Sequence, residues 1–216
     1  MRGSIHRTFP TTIAALDFQR DAGEVHWEVL WAGDSRCYVA EPNTGLQQLS
    51  RDDTDLADIL QQLVQDPPLN NMVSAGRQFA LNRWRGRAYL PCLLVCATDG
   101  CFGYVQTPAE FEHVLLSTML SAQDLVHWSG LLTERISSYT GDDASLVLVS
   151  LGLNGFDDLR RHYRERAEEV RREHGAPMAL VRPGDRAELV AARERSWHRY
   201  RSTYERRLLG ADGATG

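Results

Sequence analysis

The chain has 216 residues, 43% of them hydrophobic and 25% charged, a composition that suits a globular domain with its own core. No apolar run approaches the ~18 residues of a membrane span, and MRGSIHRTFP has no apolar stretch behind its basic start, so neither a transmembrane helix nor a signal peptide is expected. The net charge of -5 is unevenly spread: residues 1–156 hold 10 Arg and 18 acidic residues, whereas residues 157–209 hold 14 Arg and 10 acidic residues, with no lysine anywhere.

In chain order, TTIAAL (residues 11–16) suits a strand or a short helix. VHWEVLWAG reads as a strand, with Val25, Trp27, Val29 and Trp31 alternating onto one face. Gly33-Asp34 bends the chain. RCYVAE then continues as the next strand, EPNTG turns, and LQQLS closes a small meander. Leu56, Ile59, Leu60, Leu63 and Val64 form the stripe of a helix that Pro67-Pro68 ends. RQFALNRWRGRAYL suggests two short strands around Arg85-Gly86, and CLLVCA a buried strand stopping at Thr98-Asp99-Gly100. Thr107-Pro108-x-Glu110 marks one helix start, and Ser121-x-x-Asp124 a second, weaker one. Gly141-Asp142-Asp143 turns into the buried strand SLVLVSL. Short antiparallel strands with separate helix pairs predict an α+β protein rather than βαβ repeats.

The four cysteines, Cys37, Cys92, Cys96 and Cys101, form no CxxC pair and no histidine stands at finger spacing. They read as buried or half-buried free thiols in a reducing, cytoplasmic setting. His26 falls on the face opposite Val25 and Trp27 and reads as a surface or inter-layer residue. His113 and His127 read as helix packing or surface residues.

Asp99 and Asp142 each put a carboxylate at the end of an expected central strand. If the strands are neighbours, both could reach one cation, and oxygen ligands favour Mg or Mn over Zn. Turn or cap roles are the ordinary alternative. Four motifs in order, GDSRCYV, LSRDDT, LLVCATDGCFGYV and GDDASLVLVSL, resemble the metal-dependent PPM-type (PP2C-like) protein Ser/Thr phosphatases over roughly residues 9–152. PTTIAAL also resembles a segment of that family, with proline in place of its usual glycine.

The resemblance implies an α-β-β-α sandwich of two mainly antiparallel sheets flanked by helix pairs. It implies hydrolysis of phosphoserine or phosphothreonine in protein substrates by water activated on two Mg or Mn ions, without a phosphoenzyme. By matching, Asp99 and Asp142 would be metal ligands. Asp34, Arg36, Gly100 and Asp143 would support the site: Gly100 through a tight turn beneath Asp99, Asp34 by holding its turn or pairing with Arg36. Asp52-Asp53 stands where the family has Asp-His, and both residues read as solvated turn acids.

The family's Asp-Gly-His-Gly segment, with its bridging aspartate and phosphate-binding arginine, has no match here. His6, Arg2 and Arg7 do not replace it by motif. Residues 1–153 therefore read as a partial phosphatase domain and an incomplete sandwich, from a truncated product or a mis-set start, inactive alone. The alternative is a degenerate phosphatase-like binding or regulatory protein. Residues 154–216 read as an arginine-rich helical extension: a helix ending at Gly175, a GAPMALVRPG linker, and a long helix from Asp185 to about Leu209. Leu189, Trp197, Tyr200, Tyr204 and Leu208 share one face of that last helix. Interleaved Arg and Glu point to a solvated, salt-bridged surface rather than a nucleic-acid face, and the aromatic stripe offers docking on the domain, on a protein partner or on a second copy.

Overall fold

A computed structural model describes residues 10–76 and 78–208, so the readings on residues 1–9 and on the chain after Leu208 lie outside the described residues. The strands are β1 (Ile13–Asp21), β2 (Glu24–Ala32), β3 (Arg36–Glu41), β4 (Gly45–Gln48), β5 (Asn82–Tyr89), β6 (Cys92–Ala97) and β7 (Leu146–Leu151). They form two antiparallel sheets, β1-β2-β5 and β4-β3-β6-β7. The helices are α1 (Ile59–Gln65), α2 (Asp99–Phe102), α3 (Pro108–Ser121), α4 (Leu125–Ser137), α5 (Phe156–Val170), α6 (Ala176–Ala179) and α7 (Arg186–Tyr204).

Alternation along the strands creates two cores. Val25, Trp27 and Val29 of β2 meet Cys37 and Val39 of β3 and Leu94 of β6, which glues the sheets face to face. The opposite faces of β3 and β6, with Tyr38, Ala40, Leu93 and Val95, pack under α1 to α5 and α7. The outward face of the three-stranded sheet is an ionic ladder instead. Arg83 and Arg85 reach Glu28, and Arg87 reaches Glu24. The α+β layering is thus as expected, with α1 to α5 and α7 packed against the four-stranded sheet.

Several local expectations are corrected. β2 and β3 are not neighbours in one meander: the Gly33 bend, at φ 102°, passes the chain from one sheet to the other. Arg85-Gly86 is no hairpin turn. β5 runs straight through it, and Gly86 lies opposite Trp27, where an added Cβ would sit 2.3 Å from Trp27 Cζ2. The glycine makes room for an indole. Ser121 ends α3, and Asp124 caps α4 by accepting the His127 N–H at 2.8 Å. Thr107 makes no side-chain cap; Glu110 reaches back to the Gln106 N–H at 2.6 Å.

GAPMALVRPG is only partly a linker, because α5 continues through a π-turn (Arg171–Gly175) into α6. Asp185 starts α7 as expected, accepting the Glu188 N–H at 3.0 Å. Tyr163 of α5 and Trp197, Tyr200 and Tyr204 of α7 enter the same core as Tyr38 and Phe111. Beneath them lies a buried polar knot. Glu112 accepts Arg166 Nε at 2.9 Å and Nη2 at 2.8 Å, the Tyr200 hydroxyl at 2.5 Å and the Leu46 N–H at 3.1 Å. One carboxylate thereby ties α3, α5, α7 and β4 together.

Candidate functional site

The site grows from the β6–β7 ladder. Ala97 pairs with Leu146, so the end of β6 and the start of β7 lie side by side. The pairing continues past the strands: the Thr98 N–H donates to the Ser145 carbonyl at 3.0 Å, and the Ser145 N–H to Thr98 Oγ1 at 2.9 Å. Asp99 and Asp142 therefore emerge at one end of the sheet. Gly100 tightens this junction. A Cβ there would lie 2.4 Å from the Asp143 carbonyl oxygen, so only glycine lets α2 turn against the incoming loop. The Asp142 carboxylate accepts the Asp143 N–H at 2.7 Å; the Asp143 side chain is exposed and outside the cleft described below.

The Gly33 bend delivers Asp34 to the same place. Gly33 N–H donates to Asp53 Oδ2 at 2.9 Å, and Ser35 and Thr12 hydroxyls meet at 2.7 Å. Asp34 does not pair with Arg36. Arg36 is instead held by Asp52, Nε to Oδ1 at 2.8 Å and Nη2 to Oδ2 at 2.6 Å, with side-chain exposures of 2% and 6%. Its guanidinium lies 4.2 Å from the Phe102 ring centre. Asp52 and Asp53 are thus not solvated turn acids. Asp53 also accepts Asn71 Nδ2 at 2.7 Å and Asn82 Nδ2 at 2.9 Å, knitting the 51–82 segment to the GDSR bend.

A cleft of about 320 Å³ results, lined by Asp34, Asp52, Asp66, Asp99, Asp142 and Arg36 among others. The one guanidinium in this lining is already engaged by Asp52, so the cleft keeps an excess of negative charge. Burial, and then the nearby charges of Asp99 and Asp52, push the Asp34 carboxyl up to about 6. Burial, and then Asp142 and Asp66, raise Asp99. Asp66, which sequence reasoning missed, enters because it closes α1 in a left-handed conformation at φ 44°. A larger groove of about 470 Å³ between α4 and β7 has no acidic residue in its lining.

The donor chemistry, several carboxylates lining one cleft, suits a hard divalent cation. Among the described residues the set falls short of a paired centre. Among the described residues no three His, Cys, Asp or Glu gather as a metal-holding group. No described helix is long and apolar enough to cross a membrane.

No known protein family matches the chain by sequence, and no curated protein matches it. Solved structures do match it. A C. elegans sex-determining protein aligns with TM-score 0.52 and 16% identity, covering 70% of this chain and 42% of that one. PppA, a regulatory component of the T6SS in Pseudomonas aeruginosa, aligns with TM-score 0.46 and 20% identity over 62% and 56%. The catalytic domain of the serine/threonine protein phosphatase PstP, in complex with two manganese ions, aligns with TM-score 0.43 and 20% identity over 65% and 58%. The chain spans about half the length of these structures. The likeness is one of fold.

Proposed function

We propose that this chain carries the Asp99/Asp142 side of a metal-dependent protein Ser/Thr phosphatase site of PPM type. The observation that carries the reading is the β6–β7 pairing, which brings Asp99 and Asp142 to one cleft together with Asp34. Asp99 and Asp142 would hold Mg or Mn, the complete domain taking two ions. When bound, the metal supplies an activated water and neutralises phosphoryl oxygens. The chain's own residues prepare the place. Gly100 sets the distance between the two metal-facing loops, and Asp143 lends its backbone to that contact. The Arg36–Asp52 pair and the Phe102 ring stiffen the floor. Asp34 adds negative field and titrates near pH 6.

The substrate would be a phosphoserine or phosphothreonine protein, and four free thiols suit a cytoplasmic setting. The alternative reading is a phosphatase-like regulatory module without catalysis.

Manganese titration calorimetry and hydrolysis of a phosphothreonine peptide separate these readings. Manganese should bind the chain, and Asp99→Asn or Asp142→Asn should weaken it at least ~10-fold. Hydrolysis should appear once an Asp-Gly-His-Gly segment is supplied upstream, and vanish in both variants. Unchanged manganese affinity in both variants would remove the metal site. Binding without hydrolysis, even in the extended chain, would leave the regulatory module.

A further inference from the structure

β3 and β6 place two cysteines directly opposite each other, Cys37 against Cys96, and the phosphatase reading uses neither. The backbone of Cys37 points away from β6. Its N–H donates to Ser50 Oγ at 2.9 Å, and its carbonyl accepts the Leu49 N–H at 2.8 Å. The pair therefore occupies a non-hydrogen-bonded position of the antiparallel ladder. Facing Cα atoms there approach to about 4.5 Å and the side chains lie closest. That separation falls within the ~4.4–6.8 Å that a disulfide spans. The two sulfurs are 3.5 Å apart.

We infer that Cys37 and Cys96 are a modification site: a dithiol that a peroxide oxidises to a cross-strand disulfide. The two thiols are not equivalent. Cys37 is wholly buried between the sheets, whereas Cys96 is partly exposed and meets the oxidant first. The hydrogen bond from Cys37 holds the Cys96 thiol below the usual range, while the same bond, and then burial, pushes Cys37 up. The Cys96 thiolate is thus the nucleophile. It attacks one peroxide oxygen, the O–O bond breaks, and the departing hydroxide takes a proton to leave as water, giving a sulfenic acid. The Cys37 sulfur then attacks the Cys96 sulfur and loses its proton. The S–O bond breaks and a second water leaves. Two thiols are oxidised, and one peroxide is reduced to two waters.

The remaining cysteines provide an internal contrast. Burial pushes Cys92 up to about 12 and Cys101 up to about 11, and Cys101 donates to the Ser145 carbonyl at 3.3 Å. Neither faces a second sulfur. The new bond would sit one register pair from Arg36–Ala97, at the strand ends that lead to Asp34 and Asp99. It would cross-link the two walls of the acidic cleft at their base.

The test uses the full chain, hydrogen peroxide, alkylation of remaining thiols and peptide mapping by mass spectrometry. The expected result is loss of two hydrogens and protection of two of the four thiols. The link should map to Cys37 and Cys96, and dithiothreitol should reverse it. In Cys37→Ser, Cys96 should stop at a sulfenic acid that dimedone captures. Should that variant not fold, the wild-type peptide map decides alone. Four thiols still open to alkylation would overturn the inference. So would a link through Cys92 or Cys101, or over-oxidation of wild-type Cys96 without a link.

Discussion

Asp34→Asn isolates the electrostatic cost of the acidic cleft. The Asp34 carboxyl is pushed from an ordinary 3.8 up to about 6, first by burial and then by the charges of Asp99 and Asp52. A carboxyl whose pKa rises on folding favours the folded state only while it is protonated. The linkage therefore runs against stability as pH rises: no cost below about pH 4, a growing cost between 4 and 6, and the full cost above 6. At roughly 1.4 kcal/mol per pH unit the ceiling is about 3 kcal/mol. Asp34 faces an open cleft, and solvent screening reduces this to about 1–2 kcal/mol. Asparagine keeps the shape and removes the charge. Urea unfolding of both chains at pH 4, 5, 6, 7 and 8 should show the variant more stable by about 1–2 kcal/mol at pH 8, with the difference vanishing near pH 4. Carboxylates remote from the cleft titrate alike in both chains, so the difference curve reports Asp34 and its coupling to Asp99 and Asp52. Equal stability at pH 8, or a gain that persists unchanged at pH 4, would refute a charge-strained cleft.

Other changes probe the frame around it. Gly100→Ala should cost about 1–3 kcal/mol in urea unfolding, because its Cβ would meet the Asp143 carbonyl at 2.4 Å, and it should weaken manganese binding by parting the two loops. Wild-type stability in that variant would mean the loop contact is slack. Glu112→Ala removes the carboxylate that accepts from both Arg166 and Tyr200 in the core, along with the acceptor for Leu46 N–H; about 3 kcal/mol of destabilisation should follow, with Arg166 keeping its surface partner Glu169. A change below about 1 kcal/mol would show that solvent reaches the knot. Gly86→Val should lower the melting temperature and alter tryptophan fluorescence, since its side chain would overlap the Trp27 indole, whereas a turn glycine would leave Trp27 unaffected.

Local pattern carried much of this protein. The Val25/Trp27/Val29 alternation, the apolar runs of β6 and β7, and the carboxylates at their ends all follow from period-two spacing and abrupt polar stops. So do the starts of α3 and α7, because proline at the first helical position and an aspartate cap act within one turn. Asp99 and Asp142 were therefore visible as candidates; that they share a cleft was not, because it depends on β6 pairing with β7 rather than with another strand.

The errors about distant neighbours share one cause. Arg85-Gly86 looked like a turn because a glycine's reason can be a tryptophan 59 positions earlier. Asp52 and Asp53 looked solvated because their partners, Arg36, Asn71 and Asn82, lie 16 to 29 positions away. Glu112, Arg166 and Tyr200 sat on three separate helices with nothing local to link them. The facing of Cys37 and Cys96 likewise rests on strand register across 59 residues. By itself the sequence determined β2, β3, β6 and β7 and the starts of α3 and α7, since these depend on spacing within a turn or two. The tertiary structure alone decided which charges are buried, paired or left facing each other in the cleft, because the field at a side chain is set by neighbours in space.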